Sequence, residues 1–129
     1  MASLLHKSIT DTILKVYYEV YNELGSGFLE KVYQNAMYFE LKAKGYKVDA
    51  QKQIKVYFKK QVVGEYYSDL LVEDKVIVEL KATELLMNVH VAQTLNYLKA
   101  TEIEVGLLLN FGDEPEFKRI IYTNDIKIH

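Results

Sequence analysis

Within VIVELKA, residues 76–82, Glu79 and Lys81 interrupt a run that otherwise reads as the centre of a buried β-strand, and ten residues earlier Asp69 interrupts a second run, YYSDLLV. Strict alternation puts Ile77, Glu79 and Lys81 on one face of a strand and Val76, Val78 and Leu80 on the other. Taken by itself, that pattern also describes a half-exposed strand with a solvated ion pair. Asp69 changes the reading if the two strands are adjacent and antiparallel. Both carboxylates then share a face when the connection at Glu73 to Lys75 has three residues or a bulge lies nearby, and take opposite faces when the turn has two. Two carboxylates converging on one sheet face repel unless one is protonated or a cation lies between them, and all-oxygen ligation suits Mg²⁺ or Mn²⁺. Lys81, two residues from Glu79 on the same face, would border a metal-bound water and offset charge developing on a phosphate. These residue types in this spacing suit hydrolysis of a phosphodiester.

The elements that must position them follow from periodicity. Ile13, Val16, Tyr17, Val20 and Leu24 form a helical stripe from Ser8 to Leu24, with Ser8 and Asp11 spaced as a capping box, and GSG at 25–27 stops it. A second stripe, Leu29, Val32, Ala36, Phe39 and Ala43, predicts a helix ending at Gly45. The period then changes to two. QIKVYFKK and QVVGEYYSDLLVED predict strands joined by a turn near Lys59 to Gln61, and KVIVELKA follows after a turn at Asp74 and Lys75, as an antiparallel meander. NVHVAQTLNYLKAT returns to helical spacing through Val91, Leu95 and Leu98. EVGLLLNFG reads as a strand buried on both faces, and FKRIIYT as the last strand. The passage from Val76 to Phe111 predicts a right-handed crossover between parallel neighbours. The fold class is α/β, a central mixed sheet flanked by helices, as one domain over residues 1–129.

Composition narrows the chemistry. With 129 residues, half of them hydrophobic and about a quarter charged, the chain can bury one core without staples. Absence of cysteine excludes disulfide scaffolds, thiolate zinc sites and thiol nucleophiles. No segment approaches the roughly 20 apolar residues of a membrane span, and the start, MASLLHKSITD, has no continuous apolar core, so the expectation is a soluble, cytoplasmic protein. A net charge of −2 supplies no global positive field, so nucleic-acid binding would be local or helped by bound cations. The 11 tyrosines read as amphipathic core filling, their hydroxyls reaching the surface.

Asp69, Glu79 and Lys81 resemble the signature of the PD-(D/E)XK nuclease superfamily, and GFLEKVY at 27–33 resembles the motif that names the GxxExxY protein family within it. VEDKVIVELKA, HVAQTLNYL and GLLLNFG also resemble that family's segments in the same order, so the resemblance covers roughly residues 9–122. It implies a restriction-endonuclease-like core. It further implies Asp69 and Glu79 as metal ligands, the backbone carbonyl of Leu80 as a third, Lys81 as the catalytic lysine, and Glu30 as a supplementary helical acid. Gln93 and Tyr97 match the QxxxY pattern of RecB-like members. His90, three residues before Gln93, shares its face as a supporting group, and Tyr33, three after Glu30, is expected to pack with a satisfied hydroxyl. The pattern departs at Tyr21 and Ser26, where the family commonly has histidine and proline.

The resulting expectation is a Mg²⁺- or Mn²⁺-dependent nuclease that cleaves DNA, or RNA, by attack of a metal-activated water, as a homodimer or part of a larger complex. The competing expectations are a nucleic-acid- or protein-binding module that keeps the fold and turns over poorly, and a structural partner whose carboxylates are merely solvated. Metal binding separates the last from the other two.

Overall fold

A computed structural model describes residues 5–127; the first four residues of the MASLLHKSITD segment, and residues 128–129 of the expected domain, lie outside the described residues. Helices α1 (Lys7–Leu24) and α2 (Glu30–Ala43) precede strands β1 (Val48–Phe58), β2 (Gln61–Val72) and β3 (Val76–Lys81). Helix α3 (Asn88–Lys99), strands β4 (Val105–Phe111) and β5 (Pro115–Ile121), and a 3-10 turn at Asn124–Ile126 complete the order. The strands form one sheet in the order β1-β2-β3-β4-β5. All neighbours are antiparallel except β3 and β4, which run parallel and are joined through α3. The mixed α/β sheet expected from the alternation of periods is what forms.

Each face of the sheet carries its own apolar cluster. Val76, Val78 and Leu80 of β3 pack with Leu70 and Val72 of β2 and with Leu107 and Leu109 of β4 against Ile13, Val16, Tyr17, Tyr33, Met37 and Leu41 of α1 and α2. Ile77, Leu71 and Leu108 point the other way, against Tyr97 and Leu98 of α3. A strand covered on both faces needs apolar residues at every position, and β4 is buried along its whole length. Gly106 lets α3 lie close on β4, because a Cβ there would stand 2.9 Å from the Thr94 methyl.

Three local expectations are corrected. Ser8 is no N-cap: α1 already includes Lys7, which pairs with Asp11 at i,i+4, while the Ser8 carbonyl accepts from the Thr12 hydroxyl. In α2 the buried stripe is Tyr33, Met37 and Leu41 with Gln34, not the stripe through Leu29 and Phe39, which are 81% and 72% exposed. Both sets repeat at helical spacing, and the larger, longer side chains fill the space between α2 and the sheet. The connection between β2 and β3 also has three residues, Glu73 to Lys75, rather than a turn at Asp74 and Lys75 alone, since Val72 pairs with Val76. Glu73 and Asp74 both have positive φ and the Lys75 amide donates to the Val72 carbonyl at 3.0 Å. The Gly45 expectation stands in a specific form: Gly45 has φ 91°, its amide donates to Lys42 and that of Tyr46 donates to Leu41, the paired bonds of a Schellman ending.

Candidate active site

The site lies where β2 parts from β3. Their ladder runs from Val72 and Val76 to Leu70 and Val78 and stops there. Continuing that register, Asp69 would face Glu79, and the three-residue connection puts both on the face that carries Leu71 and Ile77. Beyond this point the β1–β2 hairpin leaves the sheet. Gln51, opposite the fork in β1, adopts a φ of 53°, and the alternation inverts across it: Leu70 packs under α1 and α2, whereas Ile54 and Tyr66 of the same alternation end on the α3 side.

Parting strands leave backbone amides without ladder partners, and here the two carboxylates supply them. Glu79 Oε2 accepts from the Asp69 amide at 2.7 Å, and Asp69 Oδ2 accepts from the Leu80 amide at 2.8 Å. The acids therefore brace the fork reciprocally, each bound to the other's strand. Glu79 is only 4% exposed. Burial first, and then the charge of Asp69, pushes its carboxyl up to about 8. Burial also raises Asp69, against the lowering effects of the Leu80 amide and Lys81. A buried acid held against a half-buried one, with one lysine nearby, forms a site whose charge a divalent cation would offset, and a set of hard oxygen donors fits Mg²⁺ or Mn²⁺.

Lys81, next along the same face, donates from Nζ to Gln93 Oε1 at 3.1 Å, and Gln93 Nε2 donates to the Tyr97 hydroxyl at 3.2 Å. Gln93 and Tyr97 are one helical turn apart on α3, so a single helix face holds the lysine head. The Tyr97 hydroxyl is raised to about 12, by burial first and the Glu79 charge second, so it stays a neutral partner to the amide. Past Lys81 the chain is clamped from β4: the buried Asn110 side chain accepts from the Thr83 amide at 3.0 Å and donates to its carbonyl at 2.9 Å. Gly112 is obligatory beside it, since a Cβ would meet the Thr83 carbonyl at 2.4 Å.

Glu30 opens α2 at an exposed position, and its negative charge raises the Glu79 carboxyl further. It does not join Asp69 and Glu79 in a ligand cluster: among the described residues, no three of His, Cys, Asp and Glu are grouped to hold a metal. Tyr33 packs as expected, buried and stacked on Phe111 at 4.0 Å, with its hydroxyl donating to the Gly25 carbonyl and accepting from the Phe28 amide. That tyrosine thereby fixes the loop that delivers Glu30. Tyr21, at the position of the family's histidine, spends its hydroxyl on the Gly112 carbonyl at 2.6 Å. His90 accepts the Met87 amide through Nδ1 at 3.0 Å and so caps the start of α3.

Sequence reasoning missed Gln34 and Gln51. Gln51 Nε2 donates to Gln34 Oε1 at 2.7 Å and reaches Asp69 Oδ1 at 3.4 Å, tying α2 and β1 to the fork. Neither left a signal in the sequence: the burial of Gln34 and the left-handed backbone that brings Gln51 inward appear only in the fold.

The comparisons with known proteins bear on the fold and the family. No curated protein sequence matches the chain. The crystal structure of SSO0001 superimposes with a TM-score of 0.55 at 15% identity, over 72% of this chain and 50% of that one, so the chain spans half the length of that protein and shares its fold. The sequence profile of the PD-(D/E)XK nuclease superfamily matches residues 7–120, and the chain belongs to that superfamily.

Proposed function

We propose that this chain, acting as one domain, hydrolyses phosphodiester bonds in DNA or RNA with a divalent cation held at the strand fork. The observation that supports it most is the reciprocal brace of Asp69 and Glu79 with Lys81 fixed beside it by Gln93. Asp69 and Glu79 hold the cation, with the Leu80 carbonyl as the third protein ligand. Glu30, whose charge reaches Glu79 from the start of α2, would add negative charge beside that pair. Bound Mg²⁺ or Mn²⁺ supplies an activated water and charge neutralisation at the phosphate. Lys81 presents its ammonium to charge that develops on the phosphate during attack, and the Gln93 carbonyl oxygen keeps that ammonium aimed while Tyr97 keeps the Gln93 amide from turning. The GxxExxY grouping belongs to the same reading: Glu30 supplies charge, and Tyr33 holds the loop that delivers it.

The test is cleavage of single-stranded, duplex and branched DNA and RNA in Mg²⁺ and Mn²⁺, with Lys81→Ala alongside. Cleavage by the wild type, reduced about 10²-fold or more in Lys81→Ala with substrate binding retained, is expected. Binding without cleavage under either metal, equal in both proteins, would replace this reading with that of a nucleic-acid-binding module.

A further inference from the structure

The hairpin that peels away at the fork does not run into solvent unopposed. Its inner face turns back toward α3, and the two enclose a cavity of about 370 Å³ with Val56 and Tyr66 on one side and Val89, Gln93, Asn96 and Tyr97 on the other. Gln93 is the residue that holds Lys81, so this cavity opens beside the fork. Tyr66 stands with its ring 5.6 Å from that of Tyr97 and remains 48% exposed. Gly64, paired with Val56, leaves the roof open where a side chain would begin to fill it. Strand alternation continues the inner face to Phe58, which is also exposed.

Charge on this arm differs from that of the molecule. Between residues 51 and 68 stand Lys52, Lys55, Lys59 and Lys60 against Glu65 alone, in a chain whose net charge is −2. Tyr57 and Tyr67 add exposed rings to the same ribbon. Exposed rings interleaved with lysines are what an unpaired nucleic-acid strand requires, bases stacking on aromatic faces and phosphates meeting ammonium groups. A duplex keeps its base faces stacked on one another and has none to offer such rings.

We infer that the cleft between the β1–β2 hairpin and α3 receives single-stranded nucleic acid, with one unpaired base seated against Tyr66 and its neighbouring phosphates on the hairpin lysines. The cavity has a volume of the small-molecule class, enough for one base and its sugar. The side-chain amide of Asn96 lines it with hydrogen-bonding groups for a base edge. The strand's phosphate backbone then passes the fork. This inference rests on the hydrolytic reading of that fork only for its orientation, and binding tests it separately.

The experiment is fluorescence anisotropy of the full chain with a labelled oligothymidylate of about 15 nucleotides, an oligouridylate and a duplex of equal length, in EDTA so that nothing is cleaved. Single strands should bind more tightly than duplex. Tyr66→Leu, which keeps an apolar contact with Tyr97, should weaken single-strand binding about 10-fold. Gly64→Leu, placed where φ is ordinary and the added chain enters the cavity, should weaken it likewise. Lys59→Gln with Lys60→Gln should lower the slope of log affinity against log salt by about 1.4. Melting temperatures confirm that each variant is folded; Phe58→Ser, at an exposed position near the tip, gives a loss of binding even if Tyr66→Leu fails to fold. Duplex binding as tight as single-strand binding, or unchanged single-strand affinity in the folded variants, would overturn the inference. Lost binding in these variants with no cleavage by the wild type would remove the hydrolytic reading and leave the cleft; cleavage that depends on Lys81 with unaltered binding in the variants would do the reverse.

Discussion

Asp69 and Glu79 brace the backbone of the fork with their carboxylates, and their protonation therefore bears on stability. The Glu79 carboxyl is raised from 4.5 to about 8, burial being the largest cause and the Asp69 charge the second. Between those values the folded chain keeps a proton that the unfolded chain has released. The stabilising contribution is thus complete below about 4.5 and is lost as pH rises through about 8. In chelator, the melting temperature should fall across that window, and Glu79→Gln should flatten the fall. A glutamine oxygen can still accept the Asp69 amide, so the variant should melt several degrees above the wild type near the alkaline end, about 4 °C or more. Thermal melts at stepped pH check this; parallel curves for the two proteins would mean that Glu79 does not carry the titration. The residue types that bear this burden were legible early, since a carboxylate and a lysine two apart in an apolar strand have few bland explanations once Asp69 stands on the next strand. Gln34 and Gln51 were not, because an amide has no signature until the fold brings its partner to it.

At the scale of elements, the sequence periods located helices α1 to α3 and strands β1 to β5, though β1 begins at Val48 rather than Gln53 and the 3-10 turn at Asn124–Ile126 gave no signal, and they failed where a helix carries two apolar stripes. At α2 the exposed Leu29, just before the helix, with Val32 and Phe39 is as regularly spaced as the buried Tyr33, Met37 and Leu41. Only packing against β3 and α1 chooses between them, and spacing contains nothing about packing. The fork was half legible: the three-residue connection follows from demanding that two acids share a face, whereas the inversion of the hairpin at Gln51 depends on a left-handed φ at a residue that gives no warning of it. Close approach of α3 to β4 is what keeps Gln93 over Lys81, and it depends on Gly106. Gly106→Ala would bring a methyl to 2.9 Å from the Thr94 methyl, in a contact where β-branching leaves little freedom. A destabilisation of about 1–3 kcal/mol is expected, with turnover falling beyond what the unfolded fraction explains. Thr94→Ser removes the opposing methyl while keeping the hydroxyl that donates to the His90 carbonyl at 3.2 Å, so the double variant should recover most of the loss. Denaturant unfolding of the four proteins reads the coupling, and strictly additive effects would show that this contact does not set the helix position.

The molecule as a whole separates its charges. Four lysines ride on a hairpin that leaves the sheet, while the remainder of a net −2 chain gathers two acids inside the fork that hairpin opens. The net charge suggested no basic surface, although Lys52, Lys55, Lys59 and Lys60 lie close together on β1 and the turn that follows it. The described helices include none long and apolar enough to cross a membrane. Everything distinctive in this arrangement turns on whether the fork holds a cation. Titration of Mn²⁺ into the protein, with free ion followed by its paramagnetic resonance signal, measures that directly in wild type, Asp69→Asn, Glu79→Gln and Lys81→Ala. One class of bound ion in the wild type and in Lys81→Ala, absent from both carboxylate variants, is predicted. Equal binding in all four proteins, or none in the wild type, would contradict a cation site at the strand fork.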